Sequence, residues 1–200
     1  MLEKENTELE DVVLAKACLE GDTKAQHQLF MKYSKQMMAI CLRYAHDYDE
    51  ACDLLQDGFI KVFAKLSMYN GNGPLGAWIR RTVVNNALDH LRRTKREMAQ
   101  YEDLRVEAAF NNPDYEEAFE IDQADSLSEE RIIALVQSMP AGYRTVFNLY
   151  AIEEYSHREI AEMLGITEST SKTQYRKAKA FMRQLIENEL KTSQREEPHI

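Results

Sequence analysis

Apolar side chains recur along this chain at helical rather than strand spacing. In the stretch AICLRYAHDYDEACDLLQDGFIKVFAKL, Leu55, Phe59, Val62 and Leu66 follow at intervals of 4, 3 and 4, on one face of a helix. Further on, Tyr175, Ala178, Met182 and Leu185 form a second stripe at intervals of 3, 4 and 3. These patterns predict two helical blocks, one from about Glu10 to Arg96 and one from about Ser126 to Leu190.

Local signals sharpen the second block. Ser156-His157-Arg158-Glu159 has the form of a capping box, so a helix is expected to start at Ser156. Ile160, Ala161 and Leu164 give that helix an apolar face, and Gly165 can end it in a left-handed conformation. Thr167 can then cap the next helix. Two helices joined by a tight turn containing glycine make a helix-turn-helix, whose second helix normally enters the DNA major groove.

Between the blocks, residues 97–125 hold Glu97, Glu102, Asp103, Glu107, Asp114, Glu116, Glu117, Glu120, Asp122 and Asp125, with Arg105 as the only base. Asn111-Asn112-Pro113 interrupts any continuous helix there. An acidic linker is the expectation, and a solvated helix packed on one domain is the alternative. The predicted architecture is all-α: two small helical domains, 1–96 and 126–200, joined by the linker 97–125.

Composition agrees with helices. Of 200 residues 44% are hydrophobic and 30% charged, with only seven Gly and four Pro, which disfavours turn-rich sheet and disorder. No apolar run approaches the length that spans a bilayer, and the N-terminal MLEKENTELEDVV is too acidic for a signal peptide. A soluble cytoplasmic protein without membrane insertion is expected. Cys18, Cys41 and Cys52 are scattered without a CxxC pair, so they are read as small core hydrophobes kept reduced. The five histidines include no HExxH, and neither a metal nor a cofactor is predicted.

Charge changes the picture more. The net charge is -9, yet Ile79 to Arg96 carries Arg80, Arg81, Arg92, Arg93, Lys95 and Arg96 against one acid, Asp89. Lys172, Arg176, Lys177, Lys179 and Arg183 crowd a second stretch with no acid between its ends. Such islands in an acidic chain are where a polyanion binds. Lys172, Arg176, Lys179 and Arg183 form a stripe roughly a quarter-turn from the apolar one. Thr173 and Gln174 lie near the N-terminal end of that helix, where base edges are usually read, and cations further along suit phosphates. A solvated helix face beside an ordinary core is the alternative.

The segments DEACDLLQDGFIKVFAKL and YNGNGPLGAWIRRTVVNNALDHLRR resemble, in order, the second conserved region of bacterial sigma-70 factors of the extracytoplasmic-function group. SMPAGYRTVFNLYAIEEYSHREIAEMLGITESTSKTQYRKAKAFMRQL is similar to their fourth region. The resemblance implies core RNA polymerase and promoter DNA as partners, with an anti-sigma factor as a further one. It implies no catalytic residues, since polymerisation belongs to the core enzyme. Asp53, Gln56, Asp57 and Phe59 match the helix by which the family grips the polymerase clamp. By spacing, Glu50, Asp53 and Asp57 share one helix face that can oppose a basic partner.

Tyr69 to Ala77, with Tyr69 and Asn70 at its start, occupies the place of the family loop that captures an unstacked base of the minus-ten element. Trp78 and Asn85 match positions on the next helix, though Trp78 by itself reads more readily as a core anchor than as a stacking platform. Arg80, Arg81, Arg92 and Arg93 would hold phosphates of the melted strand, and Lys172, Thr173, Gln174, Arg176, Lys177, Lys179 and Arg183 would meet the minus-thirty-five duplex. Two departures stand out. Asn70 and Asn72 replace charged residues common in the loop, and Ser171 replaces a branched aliphatic, which predicts looser packing. Two rival classes remain: a free-standing helix-turn-helix regulator, and a metal-dependent nuclease built on Glu50, Asp53 and Asp57.

Overall fold

The computed structural model describes residues 2–98 and 128–196, with side chains described within 10–93 and 128–189 except at position 129. Most of the predicted acidic linker, 97–125, therefore lies outside the described residues. The chain divides into two compact units, Met1–Tyr101 and Glu102–Ile200. Every regular element among the described residues is helical.

The N-terminal unit contains α1 (Leu2–Leu19), α2 (Thr23–Tyr44), α3 (Tyr48–Lys65) and α4 (Leu75–Met98), with a 3-10 turn at Leu66–Met68 after α3. Two aspartates start its middle helices. Asp22 Oδ1 accepts from the backbone N–H of Lys24 at 2.8 Å, and Asp47 Oδ1 from that of Glu50 at 2.8 Å. Asp49 and Glu50 then place negative charge in the first turn of α3, where the helix dipole favours it.

Leu29, Met37, Val62, Leu75, Ile79 and Val84 are fully buried between these helices. Each such side chain contributes about 1.5–3 kcal/mol of burial energy, which offsets the cost of ordering the chain. At Gly58 α3 and α4 come close, since a Cβ there would sit 3.2 Å from Val83 Cγ2. Asp11 is buried on α1 but paired: Lys32 Nζ donates to it at 2.7 Å and the Tyr33 hydroxyl at 2.6 Å. Burial, reinforced by that bond to Asp11, pushes the Tyr33 phenol well above its ordinary range. The Cys41 thiol is likewise pushed up to about 12 by burial, as expected of a cysteine serving as a small core hydrophobe.

The C-terminal unit contains α5 (Glu129–Gln137), α6 (Ala141–Phe147), α7 (His157–Leu164) and α8 (Glu168–Glu196). A π-helical turn, Asn148–Ile152, continues α6. Leu135, Val136, Met139, Phe147, Ala178 and Met182 belong to one apolar cluster that joins α5 and α6 to α8. Arg131 on α5 grips both carboxylate oxygens of Glu189 on α8 through its guanidinium. That pair spans 58 positions, so no local sequence pattern announces it.

Candidate nucleic-acid interfaces

In the N-terminal unit the four residues matched to polymerase binding separate into two groups. Asp53, Gln56 and Asp57 are exposed on α3, and Ile60, 58% exposed, extends their face by one turn. Phe59 faces the other way. It is 3% exposed and packs edge-on against Phe30 with ring centroids 4.8 Å apart, so it anchors α3 rather than offering a contact. Glu50 is also engaged within the unit: the His90 Nε2 lies 2.6 Å from one carboxylate oxygen, and the backbone N–H of His46 donates to the other. Glu50, Asp53 and Asp57 thus do not act as one free acidic cluster. Among the described residues no group of three or more His, Cys, Asp or Glu side chains converges as metal ligands would.

The loop after α3 is internally braced. The Tyr69 hydroxyl donates to the Gly73 carbonyl at 2.7 Å, and Asn70 Oδ1 accepts from the Asn72 backbone N–H at 3.0 Å. Asn70 is exposed, whereas Tyr69 is half-buried with its ring centroid 5.9 Å from that of Trp78. Gly76, at the start of α4, leaves room for Tyr33; a Cβ would fall 2.9 Å from the Tyr33 ring.

Trp78 is not a fully buried anchor. It is half-buried and forms part of the wall of a cleft of about 290 Å3 between α3 and α4. Lys61, Lys65 and Met68 border this cleft from the α3 side, and Arg81, Asn85 and Asp89 from α4. Asp89 holds Lys61 at 3.3 Å and Arg92 at 3.0 Å, which fixes both cations without removing them from the surface. Arg81, Asn85 and Arg93 are exposed, and Arg80, next to Arg81, is half-buried because successive helical residues point in different directions. The sequence reading singled out Asn85 but missed its neighbour Asn86, which is buried and also lines the cleft.

In the C-terminal unit the helix-turn-helix forms as its local signals require. Ser156 Oγ accepts from the Glu159 backbone N–H at 3.3 Å, and Glu159 Oε2 accepts from the Ser156 backbone N–H at 2.9 Å. Gly165 ends α7 at φ 67, a conformation costly for a residue with a Cβ. Thr167 Oγ1 then accepts from the Thr170 backbone N–H at 3.0 Å and caps α8.

Ser171 departs from the expectation of loose packing. It is fully buried, and its hydroxyl is hydrogen-bonded to His157 Nδ1 at 3.0 Å, which ties α8 to the first turn of α7. His157 also stacks on Tyr150 at 4.1 Å between ring centroids, and Tyr150 lies 4.4 Å from the Tyr175 ring. A polar bond and an aromatic stack thus stand in place of the looser packing that Ser171 predicts. Burial, with Lys172 adding to it and Glu168 opposing, lowers the pKa of the His157 imidazole below its ordinary value.

Gln174 requires the second correction on this helix. Its Oε1 is buried and lies 3.7 Å from where a Cβ on Gly142 of α6 would stand, so the side chain faces inward. The reason is register: the buried stripe passes through Ser171, Ala178, Met182 and Ile186, and position 174 lies beside it. Thr173 and Arg176 are exposed, and Arg176 carries no ion pair among the described residues. Lys177 is half-buried. Lys172 pairs with Glu168 at 2.7 Å, Arg183 approaches Glu187 at 3.6 Å, and Lys179 Nζ sits 5.2 Å above the Tyr175 ring. Among the described residues no helix is long and apolar enough to cross a membrane.

Comparison with known proteins agrees with this arrangement. The Sigma-70 region 2 family model matches residues 29–97, and the Sigma-70 region 4 model matches residues 129–182. The RNA polymerase sigma-H factor of Pseudomonas aeruginosa is 26% identical over 162 residues, covering 79% of this chain and 84% of that protein. The ECF RNA polymerase sigma-E factor of Haemophilus influenzae is 26% identical over 188 residues, 92% of this chain and 96% of that one. The ECF RNA polymerase sigma factor SigW of Bacillus subtilis is 26% identical over 176 residues, 83% of this chain and 91% of that one. The two matched regions fall one in each unit and together take in more than half of the sequence, and the chain belongs to the extracytoplasmic-function group of the sigma-70 family.

Proposed function

We propose that this chain directs promoter-specific initiation by core RNA polymerase, with residues 1–96 engaging polymerase and the melted minus-ten strand and residues 126–200 reading the minus-thirty-five duplex. Asp53, Gln56 and Asp57 form the polymerase-facing surface with Ile60, and Phe59 holds α3 from within. An exposed acidic face with one apolar side chain suits a basic partner helix, where charge sets register and the isoleucine adds burial.

The observation that carries the minus-ten assignment is the cleft between α3 and α4. It combines an aromatic wall at Trp78, an exposed amide at Asn85 and cations at Lys61, Lys65 and Arg81, which match the face, edge and phosphates of an unstacked nucleotide. Tyr69, whose ring lies against Trp78, and Asn70 supply the capture loop, and Arg80, Arg92 and Arg93 continue the positive surface for the strand. Capture of this kind offsets unstacking, a cost of about a few kcal/mol per base step. In the other unit, Thr173 and Arg176 face base edges, Lys172, Lys177, Lys179 and Arg183 meet phosphates, and Gln174 supports α8 from inside.

Permanganate footprinting of promoter DNA with core polymerase and the full chain tests the minus-ten assignment. Asn85→Ala removes the donor and acceptor that would meet an extruded base. It should weaken reactivity of the melted strand while leaving attachment to the minus-thirty-five duplex intact. Footprints of equal strength for variant and parent would reject the assignment.

A further inference from the structure

Asp11 on α1 is a carboxylate with only 4% of its surface exposed. A buried carboxylate is costly, and even when paired it adds little stability over apolar side chains that fit the same space. What it adds here is direction. The Tyr33 hydroxyl donates to one of its oxygens at 2.6 Å, and Lys32 Nζ donates to the other at 2.7 Å. Tyr33 is buried as well, so packing holds its ring while the carboxylate holds the tip.

The hydroxyl edge of that ring lies against the first turn of α4. A Cβ at Gly76 would meet Tyr33 Cε1 at 2.9 Å and Cζ, the carbon that bears the hydroxyl, at 3.6 Å. Gly71 and Gly73 in the preceding loop have positive φ, whereas Gly76 does not. Backbone conformation therefore does not call for glycine at position 76, but space for the Tyr33 ring does. Two residues further on stands Trp78, whose ring faces Tyr69 across the loop. The backbone N–H groups of Ala77 and Trp78 donate to the Pro74 carbonyl at 3.1 and 3.3 Å, which ties this turn to the end of the loop. At the other end of the loop, the 3-10 turn Leu66–Met68 also packs on α1.

We infer that Asp11 is a positioning residue of the minus-ten site: by holding the Tyr33 hydroxyl it sets the ring that Gly76 lies against, and through Gly76 it sets the loop and Trp78. This inference rests on the proposed capture of the melted strand by that loop and cleft, and adds the element, α1, that orients them. A carboxylate suits the task because a hydrogen bond has a preferred direction, which apolar contact lacks.

Asp11→Leu combined with Tyr33→Phe removes the bond and leaves neither partner buried and unmet, so folding stability should change little. The full chain and this double variant, each assembled with core polymerase, are compared for binding of a fluorescent single strand. The strand carries the minus-ten sequence of a promoter from which the parent initiates. The double variant should keep the parent's denaturant midpoint and its co-elution with core polymerase, yet bind the strand about tenfold more weakly. Trp78 is the only tryptophan in the chain, so acrylamide quenching of its emission reads the loop without any DNA, and quenching should increase in the double variant. Gly76→Ala should weaken strand binding in the parent, where the anchored ring cannot yield. It should do so less in the double variant, where the ring is free to shift. Strand binding and quenching equal to the parent's in the double variant would overturn the role of Asp11. A loss of binding that only tracks a lowered midpoint, or a Gly76→Ala effect of equal size in both backgrounds, would overturn it too. If the unaltered assembly does not prefer the minus-ten strand over a scrambled one while Trp78 quenching still responds, the capture reading fails and Asp11 is an anchor of the loop alone.

Discussion

Both units carry a cationic surface, but one is concave and the other is a ridge. In the N-terminal unit Lys61, Lys65 and Arg81 line a cleft together with Trp78, Asn85 and Asn86. In the C-terminal unit Arg176 and Thr173 project from the exposed side of α8, and no partner is drawn around them among the described residues. A concave surface suits a base that has left its stack, while a ridge suits a groove that the duplex already provides. In the proposed function, charge of one sign serves two tasks, and local relief assigns each surface its own.

The largest effect is expected where polymerase attachment is removed, since both surfaces then lose their common frame. Asp53→Lys with Asp57→Lys reverses the exposed α3 face while leaving the buried Phe59 and the engaged Glu50 untouched. Association with core polymerase should be abolished and the helical signal of the unit preserved. Unchanged co-elution would show that polymerase uses another surface.

On the ridge, the expected effect is smaller and depends on sequence. Arg176→Ala should cost about 1–3 kcal/mol and relax preference at one promoter position if its guanidinium reads a base. Lys179, held over the Tyr175 ring, should behave as a phosphate contact: Lys179→Ala should weaken all duplexes alike and reduce the salt slope by about one. A site-selection experiment that returns identical base preferences for Arg176→Ala and the parent would remove base reading from that residue.

The smallest effect lies at the His157–Ser171 bond that sets the ridge on α7. Burial holds the His157 pKa below its ordinary value, so the folded unit binds fewer protons at this group than the unfolded chain. Its contribution is fully present above the usual histidine range and is lost as pH falls through that range toward the lowered pKa. Denaturant midpoints of the C-terminal transition, followed from about pH 7.5 to about pH 5.5, should fall more steeply for the parent than for His157→Gln. Parallel profiles would mean that His157 does not carry this dependence.

How much of this was legible in the sequence follows the range of each interaction. The capping box at Ser156, the left-handed Gly165 and the Thr167 cap involve neighbours within a few residues, and the structure forms all three. Gln174 was misplaced because position 174 lies at the border of the buried stripe, where a shift in its centre from Tyr175 toward Ser171 decides which way the side chain points. Ser171 was misread because its partner, His157, comes from the preceding helix and replaces apolar contact with a hydrogen bond. Glu50 looked like part of an open acidic face, and only the fold brings His90 to it from 40 positions away. Asn86 left no periodic signal: adjacent asparagines are alike in sequence and differ only in the direction that α4 gives them.

In the proposed function, two surfaces of different relief act together to start transcription at a promoter. Run-off transcription by core RNA polymerase, with and without the purified full chain, tests it most directly. Templates carrying both promoter elements, or either one scrambled, separate the contribution of each unit. A transcript from one start site is expected only when the chain is present, lost when the minus-ten sequence is scrambled and strongly reduced when the minus-thirty-five sequence is. Tight, specific duplex binding by the chain alone, with no promoter-directed transcript after core polymerase is added, would contradict it.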